Sequence, residues 1–184
     1  MRIIFAILLV LCAACQPSHT NAVAQAEREQ AEIILQARTK QSPKAFGGTV
    51  IGKDKGEWGG EVAFVESNGN TYRLVADNSH GIFDTANGVV ALTGLAHRGI
   101  NRGTVYRISR RAGERVEATA TLRLPGSPCD VIRTDRGIKM RIFMGVNSTP
   151  NGRGESVFGC YSLRSPEQLV KIECPTSQSP VCFG

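Results

Sequence analysis

Residues 60–76 read Gly60-Glu61-Val62-Ala63-Phe64-Val65-Glu66-Ser67-Asn68-Gly69-Asn70-Thr71-Tyr72-Arg73-Leu74-Val75-Ala76. Two runs of β-branched and aromatic side chains flank Asn68-Gly69. Such side chains suit a pleated surface, and Asn-Gly readily supplies the positive φ angles of a type I′ turn, so the spacing predicts an antiparallel hairpin. The same pattern continues downstream. Strands are expected from Ile82 to Asp84, Val89 to Thr93, Thr104 to Ser109, Val116 to Leu124, Val131 to Thr134, Ile138 to Met144, Ser156 to Ser162 and Leu169 to Ile172. Asn87-Gly88, Ala112-Gly113 and Arg136-Gly137 supply turns between them. Aromatics are only 6% of the chain while glycine reaches 20 residues, which is the composition of short strands and tight turns. One all-β domain over 46–184 is expected.

An internal repeat stands out when the strands are aligned. Ile82-Phe83-Asp84-Thr85-Ala86-Asn87-Gly88-Val89 matches Val131-Ile132-Arg133-Thr134-Asp135-Arg136-Gly137-Ile138. Arg102-Gly103 before Thr104-Val105-Tyr106 corresponds to Arg153-Gly154 before Glu155-Ser156-Val157-Phe158, and the hairpin at Gly60 reads as the second half of an earlier, incomplete copy. Each full unit would hold four short antiparallel strands. From about Trp58 to Ile172 this arrangement resembles the blades of a β-propeller; a twisted sandwich or barrel could be built from the same hairpins. Trp58, the sole tryptophan, is expected to pack in the core at a strand start.

The chain opens with MRIIFAILLVLCAAC: one positive charge at Arg2, an apolar run from Ile3 to Leu11, then Ala13-Ala14-Cys15. The run is about half the ~20 residues needed to cross a bilayer, so it reads as the core of an export signal, residues 1–14. Small residues before a cysteine resemble the lipobox of bacterial lipoproteins. That resemblance implies cleavage after Ala14, lipid on Cys15, and, with Gln16 following, an outer-membrane anchor facing the periplasm. The alternative is a soluble periplasmic or secreted chain cut after Ala24. Residues 15–45 would form a polar tether and a helix from Asn21 to about Lys40, rich in good helix formers.

Beyond Cys12 and Cys15, four cysteines remain: Cys129, Cys160, Cys174 and Cys182. In an oxidising compartment an even set implies two disulfides. Three pairings are open, and the favoured one joins Cys174 to Cys182 across a short proline-bearing loop, leaving Cys129 for Cys160. The spacing does not suit zinc, and no metal or other cofactor is expected.

The formal charge is +6 for the whole chain and +5 once Arg2 is gone, an excess that suits solubility or an anionic partner. Aromatic and basic residues do not interleave as single-strand platforms require, so nucleic acid is disfavoured. His80 and His97 stand in short polar stretches and are expected as turn residues bonded to the backbone. Gly154-Glu155-Ser156-Val157-Phe158 lacks the second glycine of a nucleophile elbow. The stretch from Gly94 to Gly103 reads as a long glycine- and arginine-bearing loop, in which His97, Arg98, Asn101 and Arg102 are the candidate binding residues. No catalytic residues are assigned. The expectation is a membrane-anchored envelope protein that binds an exported or envelope protein, of inhibitor or immunity type; the alternative is a small envelope hydrolase with dispersed acidic residues.

Overall fold

The hairpin around Asn68-Gly69 joins strand β3 (Glu61–Glu66) to β4 (Thr71–Val75), with Val65 opposite Thr71. Its turn is not the expected type I′. The Gly69 N–H donates to the Glu66 carbonyl at 2.9 Å, the Glu66 N–H donates to that of Asn70 at 2.8 Å, and only Gly69 has a positive φ, +89°. This is a type I turn closed by a glycine bulge, which needs one left-handed residue instead of two.

The structure is a computed structural model that describes residues 42–148 and 150–174. The export signal, Cys15, the tether, the helix expected from Asn21 to Lys40, and Cys182 lie outside the described residues. The described chain is all-β. Besides β3 and β4 it forms β1 (Lys44–Ala45), β2 (Gly48–Lys53), β5 (Ser79–Thr85), β6 (Gly88–His97), β7 (Ile100–Arg110), β8 (Val116–Leu124), β9 (Ser127–Thr134), β10 (Gly137–Ser148), β11 (Gly154–Ser165) and β12 (Gln168–Ile172), with a single 3-10 turn at Gly56–Trp58. These make three antiparallel four-stranded sheets, β1 to β4, β5 to β8 and β9 to β12, each in chain order.

The repeat is real in three dimensions. At the β5–β6 turn the Thr85 hydroxyl donates to the Gly88 carbonyl at 2.7 Å, and at the β9–β10 turn the Thr134 hydroxyl does the same to Gly137 at 3.0 Å. The match of Arg102 to Arg153 is looser, since Arg102 lies within β7 whereas Arg153 precedes β11. The first unit is complete and not half a copy: β1 and β2 supply its missing strands.

Two apolar cores separate the sheets. Val50, Val62 and Phe64 of the first sheet meet Ile82, Val89, Ala91 and Ile108 of the second. Phe83, Val90, Leu92 and Val105, on the other face of the second sheet, meet Ile138, Met140, Ile142 and Leu163 of the third. The middle sheet is thus covered on both faces, which explains why β6 carries the unbroken apolar run Val89-Val90-Ala91-Leu92 where a half-buried strand would alternate. In β8, Val116 and Leu124 have the same parity yet face opposite cores. The register slips between Val105 and Tyr106, whose partners are Leu122 and Ala120, so Thr121 is an extra residue that flips the strand's faces.

The favoured cysteine pairing is overturned. Cys160 is bonded to Cys174, with their Cα atoms 5.2 Å apart. Cys160 sits opposite Ile172 on β12, and the chain leaving that strand brings Cys174 alongside. Cys129 cannot reach Cys160, because both pair with Arg141 from opposite sides of β10. Two strand spacings are about 9.6 Å, beyond the Cα separation that a disulfide spans. Cys129 is itself disulfide-bonded.

Candidate functional site

The stretch from Gly94 to Gly103 is the far end of a hairpin and not a long loop. β6 and β7 stay paired to the tip, where His97 faces Ile100 across the turn Arg98-Gly99. Both turn residues have positive φ, +43° and +83°, as a type I′ turn requires. Arginine rarely takes that conformation, yet Arg98 holds the first position of this turn.

Three of the four candidate residues brace this hairpin against the rest of the molecule. His97 Nε2 lies 3.2 Å from Glu57 Oε2 in the 3-10 turn. Asn101 Oδ1 accepts the backbone N–H of Ser127, at the start of the third sheet, at 2.9 Å. Arg102 Nη2 donates to Asp77 Oδ1 at 3.1 Å in the link between the first and second sheets. Arg98 is exposed at the tip.

The 3-10 turn is equally fixed. Buried Asn78 accepts the Lys55 N–H at 3.0 Å, donates from Nδ2 to the Gly56 carbonyl at 2.6 Å, and its own carbonyl accepts the Gly94 N–H at 3.0 Å. Gly60 leaves the room this needs, since a Cβ there would stand 1.9 Å from the Lys53 carbonyl oxygen and 2.8 Å from Asn78 Oδ1. Trp58 rides on this turn and is 84% exposed, so its expected place in the core is wrong: the turn carries it outward, and none of its residues is buried. Ile100, beside Arg98 on the tip, is 47% exposed. At the neighbouring strand ends Lys53 Nζ donates to Glu61 Oε1 at 2.9 Å, and this bond holds the Glu61 carboxyl below its ordinary range.

Asp54, His80 and Ser127 also converge here, although distant in sequence. His80 Nδ1 lies 3.8 Å from Asp54 Oδ2, and Nε2 lies 3.1 Å from the Gly94 carbonyl oxygen and 3.5 Å from Ser127 Oγ. A nitrogen that donates to a carbonyl carries its hydrogen and cannot take the serine proton in that state. Ser127 is 5% exposed, which leaves its hydroxyl little access to a substrate. The arrangement therefore ties the link after β2 to strands β5, β6 and β9. His80 bonds to the backbone as expected, though from within β5.

Among the described residues no group of three or more His, Cys, Asp or Glu side chains is placed to hold a metal ion. Comparison of the chain with protein-family models, with curated proteins and with solved structures finds no match.

Proposed function

We propose that this chain is an exported envelope protein, anchored through lipid on Cys15 to the outer membrane facing the periplasm, that works by binding another protein as an inhibitor or immunity-type partner of an exported enzyme. The observation that carries the binding reading is Trp58, 84% exposed on a turn pinned by hydrogen bonds to buried Asn78, beside the hairpin tip that presents Arg98 and Ile100. Tryptophan and arginine dominate the energetic centres of protein interfaces, and a surface already rigid loses little entropy on docking. In the same reading the three meanders are propeller-like blades stacked face to face, with the middle one carrying two apolar faces.

Replacing Trp58 and Arg98 together by alanine is expected to weaken partner capture from the native envelope at least about tenfold, or roughly 1.4 kcal/mol, with thermal stability unchanged. Equal capture by the variant and the parent chain would reject the tip as the contact surface. Mass spectrometry of the mature N-terminus tests the anchor separately. A diacylated or triacylated Cys15 is expected, and an unmodified chain starting at Gln25 would reject it.

A further inference from the structure

At the end opposite the β6–β7 tip, the second and third sheets part around a cavity of about 360 Å³, bounded by the β5–β6, β9–β10 and β11–β12 turns. Its volume is in the range of small-molecule sites. Val90, Ile138 and Leu163 form an apolar floor continuous with the core. Arg133, Arg136 and Arg164 line its walls, with Asp135 the one carboxylate among the lining residues.

No side-chain ion pair or side-chain hydrogen bond joins any of these three guanidinium groups to another described residue. Glu167, just beyond the cavity wall, is paired with Arg107 and accepts the Ser165 hydroxyl at 3.4 Å. Elsewhere, Arg102 is matched by Asp77 and Arg141 by Asp130. Three guanidinium charges against one carboxylate leave the cavity with an excess of two positive charges.

The repeat shows that the turns do not require this charge. The β5–β6 and β9–β10 turns are closed by the same threonine hydrogen bond, yet the positions matching Arg133 and Arg136 are Asp84 and Asn87 in the second unit. The arginines are thus additional to the turn's construction. All three are exposed, so solvent screens much of their mutual repulsion, and at low salt a bound anion would relieve what remains.

We infer that this cavity binds a molecule bearing a phosphate monoester, with its organic body on the apolar floor. A phosphate dianion matches the excess charge, and its oxygens match the forked donors of guanidinium groups. The site is distinct from the Trp58 tip, and its occupancy does not depend on the partner proposed there.

Calorimetric titration of the full mature chain at low salt, with inorganic phosphate and with phenyl phosphate as probes, tests the inference. Saturable one-to-one binding is expected, tighter for phenyl phosphate because of the floor. Replacing Arg133 and Arg164 together by alanine should weaken it at least about tenfold, while Arg123→Ala on β8 leaves it unchanged. Arg136→Ala alone, checked for an unchanged melting temperature, serves if the double variant does not fold. Sedimentation with vesicles of phosphatidylcholine alone and with added phosphatidic acid separates the sources of the phosphate: an arginine-dependent gain in binding on adding phosphatidic acid, above whatever the anchor gives, identifies a lipid headgroup, and no gain, with phenyl phosphate still bound, identifies a soluble ester. No saturable binding of any probe, or binding that the arginine variants leave intact, would overturn the inference.

Discussion

Leu92→Ala is expected to lower the stability of the domain by about 2–5 kcal/mol, seen as a lower urea midpoint with little change in slope. Leu92 is fully buried on β6 and belongs to the core between the second and third sheets. The opposite face of the same strand, through Val89 and Ala91, is packed against the first sheet. A strand clamped on both faces cannot sink into the space left by the missing methyl groups, so the loss should fall in the upper part of that range. The same change at Leu169, only partly buried on edge strand β12, should cost less than about half as much. Comparable losses at the two positions would contradict the two-faced burial of the middle sheet.

Removing the Cys160–Cys174 bridge by a double alanine substitution should cost about 2–4 kcal/mol. The cysteines are 14 residues apart, and opening such a loop returns conformational entropy to the unfolded chain. β12 would feel it most, because beyond its pairing with β11 it lies at the sheet's edge. Non-reducing peptide mapping should recover Cys160 and Cys174 in one cross-linked fragment. A fragment joining Cys129 to Cys160 would refute the strand order of the third sheet, since β10 would then have to leave its place between them.

What the sequence disclosed was what neighbouring residues settle among themselves. The β-branched runs and glycine turns located every strand from β3 onward, and the Thr85 and Thr134 turns of the repeat proved structurally equivalent. β1 was missed because two residues, Lys44 and Ala45, carry no pattern at all. The disulfide was missed because it depends on which strand stands beside which, information absent from cysteine spacing. Trp58 was misplaced although Gly56, Gly59 and Gly60 around it marked a turn and not a packed strand. At the tip, the residues chosen for recognition were largely those that hold the hairpin still. His97, Asn101 and Arg102 each spend their side chain on Glu57, Ser127 or Asp77, and only the folded geometry reveals those partners. Comparing the copies position by position, Arg133 against Asp84 and Arg136 against Asn87, could have flagged the cavity's charge; only the fold could add Arg164 from a distant turn.

Every strand pairing in the three sheets joins neighbours along the chain. Each meander can therefore assemble by successive short-range closures, which places the domain toward the fast end for β proteins, where distant pairings ordinarily slow the search. The same order matters during vectorial emergence of the chain, amino end first. The middle meander is the one whose two apolar faces would invite aggregation, and it appears when the first is already available to cover one of them. Its remaining face waits only for the next sheet to be delivered.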